Sequence, residues 1–133
     1  ANFNLKNTNA GASISNSIGT GTFINEGTIT KSTSSVDTTM NVRMDNSGTI
    51  SVTTGKIILT AGNGGVASTN TGDFAVSSGA TLGFSTGTKT FASTSDFTGA
   101  GTFTFSGGSL TFSDVSMVTT GDVNFSSGTI SIT

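Results

Sequence analysis

The chain has 133 residues and a net charge of −2, and Gly, Ser, Thr and Asn make up 78 of its residues. It contains no Cys and no His, which excludes disulfides, thiolate metal sites and imidazole acid–base chemistry, and no cofactor is expected. Five basic residues are too few to neutralise many phosphates, so nucleic acid is excluded as a partner, and no apolar run approaches the roughly 20 residues that span a bilayer.

The polar composition does not imply disorder. Leu, Ile, Val and Phe total 31 of the 133 residues, which is above the level of roughly 20% below which chains tend to stay unfolded. These residues recur with a period of two in short runs, such as Phe103-Thr104-Phe105, bounded by glycine or serine. Period-two runs rich in Thr, Val, Ile and Phe predict strands. The sequence therefore predicts one all-β domain over residues 1–133.

In chain order, the first predicted element is "ANFNLKNT", a strand-like segment with Phe3 and Leu5 on one face. We interpret residues 1–18 as a possible N-terminal docking strand and residues 19–133 as repeat coils. The repeats are "TGTFINEGTIT" (20–30), "DNSGTISV" (45–52), "TGDFAVSSGATLGF" (71–84), "AGTFTFSGGSLTF" (100–112) and "TGDVNFSSGTISIT" (120–133). Each repeat, or its second half, is a strand followed by a glycine turn and a second strand.

Glycines punctuate these repeats at matching positions. The predicted turn glycines are Gly48, Gly72, Gly79, Gly101, Gly108, Gly121 and Gly128. The second glycine of each repeat falls at positions 27, 48, 79, 108 and 128. The first and last steps between these positions are about 20 residues long, and the two middle steps are longer by about ten, which predicts a coil of about 20 residues with variable loops.

One strand–turn–strand unit cannot bury its own apolar face, whereas a stack of such units buries these faces in a continuous column. We therefore predict a parallel β-helix, or β-solenoid. The predicted core residues are Ile50, Val52, Phe74, Val76, Leu82, Phe84, Phe103, Phe105, Leu110, Phe112, Val123, Phe125, Ile130 and Ile132, with Ile57, Leu59 and Phe91 as further inward positions. A β-sandwich pilus-like subunit, completed by the N-terminal strand of a neighbour, is the alternative fold.

Both ends of the predicted stack lack a charged cap. The last strand would leave Ile130 and Ile132 uncovered, and Phe3 and Leu5 lie at the opposite end. Uncapped solenoid ends and exposed strand edges invite pairing. We expect these ends to dock on another copy, as a head-to-tail homopolymer, or on flanking repeats of a longer chain.

Residues 46–133 resemble the tandem β-solenoid repeats of bacterial surface proteins, such as filamentous-haemagglutinin-like adhesins and autotransporter passenger domains. The similarity is carried by "NSGTISVTTGKIILTAGNGG", "VSSGATLGFSTGTKTFASTSDFTGAGTFTFSGGSLTF" and "VNFSSGTISIT". It implies a right-handed parallel β-helix, secretion and a structural or adhesive role. We further expect a cell-surface protein without enzymatic activity, with surface glycans or host receptors as further partners. A start at Ala1 without Met is consistent with removal of a signal peptide.

Three groups of polar residues suggest other functions. Asp73 and Asp122 occupy equivalent repeat positions, and clustered carboxylates are found in β-helices that bind or cleave carbohydrate, such as phage-tail proteins. The equivalent position of the intervening repeat is Thr102, so no continuous acidic row forms. We therefore interpret both residues as turn aspartates that bond local backbone amides. Arg43 and Asp45 point to one side of a strand and predict an exposed ion pair. The Thr pairs in "TGTKT" (86–90) and "TFT" (102–104) suggest ice binding as another candidate function, although the pairs do not recur at one coil position.

Overall fold

The computed structural model describes residues 1–6, 12–15, 21–61 and 66–133. These residues form 18 strands and no helix, and the strands build three sheets of six strands each. Every recorded strand pairing is parallel. The predicted β-solenoid is therefore confirmed, and the alternative β-sandwich is wrong.

Each turn of the solenoid contributes one strand to each sheet. The first sheet contains β1 (Asn2–Leu5), β4 (Thr28–Lys31), β7 (Thr49–Val52), β10 (Asp73–Val76), β13 (Asp96–Gly99) and β16 (Ser116–Thr119). The second contains β2 (Ala12–Ser15), β5 (Thr38–Asn41), β8 (Lys56–Leu59), β11 (Thr81–Phe84), β14 (Thr102–Phe105) and β17 (Val123–Phe125). The third contains β3 (Thr22–Asn25), β6 (Arg43–Asn46), β9 (Ser68–Asn70), β12 (Thr88–Phe91), β15 (Ser109–Phe112) and β18 (Thr129–Ile132).

The position of each corner corrects our interpretation of the glycine spacing. Strands of the first sheet begin at positions 2, 28, 49, 73, 96 and 116, and these starts mark successive turns of the coil. Gly27 and Gly48 lie between the third and first sheets, Gly79 between the first and second, and Gly108 and Gly128 between the second and third. The two longer glycine steps are therefore one turn plus one side of the coil, and not a turn with a longer loop.

Alternation along each strand sends every second side chain into the interior, where parallel register places it on its counterpart in the next turn. Register aligns Ile29, Ile50, Phe74 and Phe97 in one such column of the first sheet, and all four are fully buried. The predicted core residues from Ile50 to Phe112 are at most 5% exposed. The core also contains residues that the pattern did not indicate: Leu5, Ile29, Met40, Val42, Met44, Ala80 and Phe97.

Four of the predicted core residues differ from the rest because they lie in the last turn. Val123 is partly buried, whereas Phe125, Ile130 and Ile132 are exposed. Their register with Phe103, Phe105, Leu110 and Phe112 places them on the interior columns. They are exposed because no further turn of the described chain covers them.

An asparagine ladder occupies one interior column of the third sheet. Asn25, Asn46 and Asn70 are at most 6% exposed and stand in register. Asn25 Nδ2 donates to Asn46 Oδ1 at 2.6 Å, and Asn70 Nδ2 donates to the Thr90 carbonyl at 3.1 Å. In the next two turns the same column continues as Phe91 and Phe112. One column thus changes from hydrogen-bonded amides to stacked rings.

The turn glycines lie at corners where the backbones of adjacent turns approach closely. A Cβ at Gly48, Gly72, Gly108, Gly121 or Gly128 would meet the carbonyl oxygen of a glycine one turn earlier, and one at Gly101 would meet Val76 and Ser77. Gly79 has a positive φ of 78° but open space around it. At most of these corners glycine is needed because the backbone of the adjacent turn leaves no room for a Cβ. At some of them it is also favoured because φ is positive.

The N-terminal segment is part of the first turn. β1 pairs with β4, and β2 pairs with β5, so both strands extend sheets of their own chain. The predicted boundary between residues 18 and 19 lies outside the described residues.

Candidate functional site at the ends of the solenoid

The last turn presents an apolar surface. Phe125 is 47% exposed, Ile130 38% and Ile132 83%, and Met117 and Val118 on β16 are also exposed. A depression of about 350 Å³ lies among Met117, Phe125, Ile130 and Ile132, and its lining is completed by Phe112, Asp114, Val115 and Thr133. Soluble chains rarely leave a contiguous apolar patch of this kind without using it for contact.

The first turn presents a smaller apolar surface at the opposite end. Phe3 is 45% exposed, its ring centroid lies 6.0 Å from that of Phe23, and Ile14 and Phe23 are half-buried. Leu5, which we predicted as an assembly residue, is only 8% exposed and belongs to the core. The apolar column therefore reaches this end through Phe3, Ile14 and Phe23.

The two ends also carry unpaired strand edges. Among the described strands, β1, β2 and β3 each pair on one side only, as do β16, β17 and β18, because they are the outermost strands of the three sheets. None of these six strands contains Asp, Glu, Lys or Arg, whereas charged residues occur in six of the twelve inner strands. Charged residues are one of the usual protections of an exposed edge. In this chain the charged residues lie on inner strands, and the six outermost strands have none.

The carboxylates are arranged differently from the sequence prediction. Asp73 lies on β10, where it is in register with Asp96 of the first sheet, and the Asp96 amide donates to Asp73 Oδ1 at 3.4 Å. Asp122 precedes β17 of the second sheet, so it shares no column with Asp73. Among the described residues, no three His, Cys, Asp or Glu side chains come together as a metal site.

Arg43 and Asp45 form the predicted ion pair. Arg43 Nη2 lies 2.8 Å from Asp45 Oδ2, and both side chains are about one quarter exposed. Asp45 Oδ1 also accepts a hydrogen bond from the Thr69 amide at 2.9 Å. The carboxylate therefore joins two turns of the outer face of the third sheet, which is a structural use of the charge.

Two buried lysines are features that the sequence analysis missed. Lys31 has no exposed surface, and its pKa is lowered by burial, an effect that the charge of Asp37 partly opposes. Lys89 is 3% exposed, donates from Nζ to the Thr86 carbonyl, and has its pKa lowered to about 8 by burial. Period-two alternation was the available signal, since both residues stand at inward positions of their strands.

Hydroxyl groups form two columns on the outer face of the third sheet. Thr88 and Thr90 of β12 are in register with Ser109 and Thr111 of β15, and these with Thr129 and Ser131 of β18. Thr102 and Thr104, the other Thr pair of the sequence, lie on the second sheet. Pairs of hydroxyl side chains therefore do recur at one position of the coil. A search for Thr-x-Thr does not find this recurrence, because two of the six residues are serines.

The stacked parallel turns, interior ladders and glycine corners define a β-solenoid repeat protein. The chain matches no family model, no curated protein and no solved structure. Within the part of the chain that the structure describes, no helix has the length and apolar character needed to cross a membrane.

Proposed function

We propose that this chain is a non-enzymatic structural protein whose turns stack end to end into a fibre outside the cell. The observation that carries the proposal is the exposed apolar column at both ends, framed by edge strands without charge. Covering the last turn would bury Phe125, Ile130 and Ile132. Complete burial of a fully exposed side chain of this size is worth about 1.5–3 kcal/mol, and each of these residues would add the share that is still exposed.

The inner turns show what such stacking achieves. Between adjacent turns Phe84 lies on Phe105 with ring centroids 5.0 Å apart, and Phe91 lies on Phe112 at 4.9 Å. Backbone hydrogen bonds join the same turns, for example from the Ser106 amide to the Phe84 carbonyl at 2.9 Å. A further turn placed on either end would extend both kinds of contact along the axis.

The outer faces support an extracellular role as an adhesive or matrix component. They are rich in Thr, Ser and Asn, and the whole chain carries only 12 charged residues. Such a coat keeps a rod hydrated without strong electrostatic attraction to particular partners. Its hydroxyl and amide groups are suited to contacts with surface glycans or receptors of a host.

Electron microscopy of the purified chain tests this proposal. We expect rods that lengthen with protein concentration, because end-to-end contacts form by mass action. Ile132→Lys should shorten them, since it places a charge in the contact, while Ser131→Lys on the outer face of the same strand is the matched control. A chain that stays monomeric at millimolar concentration would contradict end-to-end assembly.

Ice binding is a second candidate function, which the hydroxyl columns of the third sheet favour. Neighbouring hydroxyls of these columns are separated by about 4.8 Å between strands and by about 6.7 Å along a strand. A regular array of this kind is suited to holding ordered water. Inhibition of ice recrystallisation by the chain, and its loss in Thr111→Lys, is the test; no inhibition by the unaltered chain would exclude this function.

A further inference from the structure

We infer that a second copy of this chain docks head to tail on the last turn, with its β1, β2 and β3 continuing β16, β17 and β18 in parallel register. The inference rests on the proposed function and deepens it, because it names the occupant of the exposed end, its polarity and its register. The opposite polarity, in which two copies meet through their last turns, is the alternative.

The interior columns match across this contact. Continuing the register of the first sheet places Phe3 of the incoming copy on Met117, because both are aligned with Ile29, Ile50, Phe74 and Phe97. In the same way the second sheet places Ile14 on Phe125, and the third places Phe23 on Ile130. Each of these pairs joins two apolar side chains that are exposed or half-buried in a single copy.

Two other interior positions at this contact are polar, and both are already satisfied. Thr119 would lie against Leu5, and its Oγ1 donates to the Gly99 carbonyl at 2.7 Å. Asn25 would lie over Ile132, where no polar partner is available. Its Nδ2 already donates to Asn46 Oδ1 and to the Thr49 carbonyl at 3.2 Å, and its Oδ1 accepts from the Gly27 amide at 3.3 Å. Covering Asn25 with an aliphatic side chain therefore leaves no buried amide group without a hydrogen bond.

Charge distinguishes the two polarities. Lys6 follows β1 and Asp122 precedes β17, so head-to-tail docking brings an exposed lysine and an exposed aspartate to the same corner of the coil. Docking through two last turns would instead bring Asp114 and Asp122 of both copies to one contact. Like charges at a contact oppose association, and opposite charges fix its register.

Disulfide trapping tests the polarity and register. The chain has no cysteine, so only introduced residues can cross-link. Asn4 and Val118 occupy the same outer column of the first sheet, and adjacent parallel strands lie about 4.8 Å apart, a separation that a disulfide spans. A mixture of the Asn4→Cys and Val118→Cys variants should give a covalent dimer on oxidation, and a double variant should give a ladder of multimers.

As a control, the Val118→Cys variant is mixed with a Ser13→Cys variant. Ser13 lies in the same turn as Asn4 but on the second sheet. We expect no cross-link from this pair, and none from Val118→Cys alone. A disulfide between two copies of Val118→Cys would overturn the inferred polarity, and a cross-link to Ser13→Cys would overturn the inferred register. If rods form in either case, end-to-end assembly still stands. Absence of both rods and cross-links would overturn the inference and the proposed function together.

Discussion

Phe125 stacks on Phe105 with ring centroids 4.8 Å apart and ring planes 13° apart, yet Phe105 is fully buried and Phe125 is 47% exposed. The difference arises because Phe105 has a second stacking neighbour, Phe84, on its other side. Burial in this fold is thus determined by the number of adjacent turns as well as by the direction of the side chain.

Phe105→Asp should unfold the chain. A carboxylate at this fully buried position has no partner, and such a change costs more than about 4 kcal/mol, a large part of a typical total stability. The far-ultraviolet circular dichroism of the variant should lose its strand signal. Thr104→Asp, on the outer face of the same strand, should remain folded, and a folded Phe105→Asp variant would contradict the assigned inward direction.

Asn46→Ala should lower the free energy of unfolding by about 1–3 kcal/mol, because Asn25 Nδ2 loses the acceptor that lies 2.6 Å away. Urea-induced unfolding measures the change. Asn124→Ala is the control: Asn124 is exposed on the outer face of β17, and its loss should change stability by no more than about 0.5 kcal/mol. Equal effects of the two substitutions would show that the ladder does not stabilise the fold.

The lowered pKa of Lys89 predicts that the free energy of unfolding rises at alkaline pH. Its pKa falls from 10.5 to about 8 on folding, so between these values the unfolded chain binds more protons and the free energy of unfolding increases with pH. The contribution is about 3 kcal/mol. Lys89→Met should be more stable at pH 7 and should lose this part of the rise.

Lys56→Met is the control for this pH profile, because Lys56 lies on the outer face of β8. We expect the rise to persist in that variant. An identical rise in Lys89→Met would attribute the effect to other groups, including the buried Lys31.

Gly108→Ala should destabilise the chain more than Gly79→Ala does. Both glycines have positive φ, 84° and 78°, so alanine has a similar conformational penalty of about 1–2 kcal/mol at each. Only at Gly108 would the new Cβ also overlap the Gly87 carbonyl, which adds about 1–3 kcal/mol. Midpoints of denaturant unfolding measure the difference, and equal midpoints would mean that the corner can relax.

Local patterns were sufficient to predict the strands and the stack. The alternation in Phe103-Thr104-Phe105 places two rings on one face whatever the shape of the coil, and the glycine turns separate one strand from the next. The number of strands per turn was not predictable in this way. Adjacent sides of the coil have the same strand–glycine–strand pattern, so superimposing repeats aligned Gly79 with Gly108, although they lie at different corners.

The missed residues have a common physical reason. Asn25, Asn46 and Asn70 are polar, and they are buried because each finds hydrogen-bond partners in the adjacent turn, which only the register reveals. The recurring Asn-x-Gly at 25–27, 46–48 and 70–72 was the available signal. At the candidate site, the exposure of Ile130 and Ile132 was expected from their place in the last predicted strand, whereas the burial of Leu5 depended on contacts with the neighbouring turns.

Thr28 and Thr49 are in register across one full turn of the coil, and the glycines that precede them, Gly27 and Gly48, occupy the same corner. Duplication or deletion of the segment 28–48 would therefore lengthen or shorten the rod by one layer and leave the neighbouring columns aligned. A gene encoding such a chain can change the length of its product by whole turns, with no need to redesign the fold at the junction.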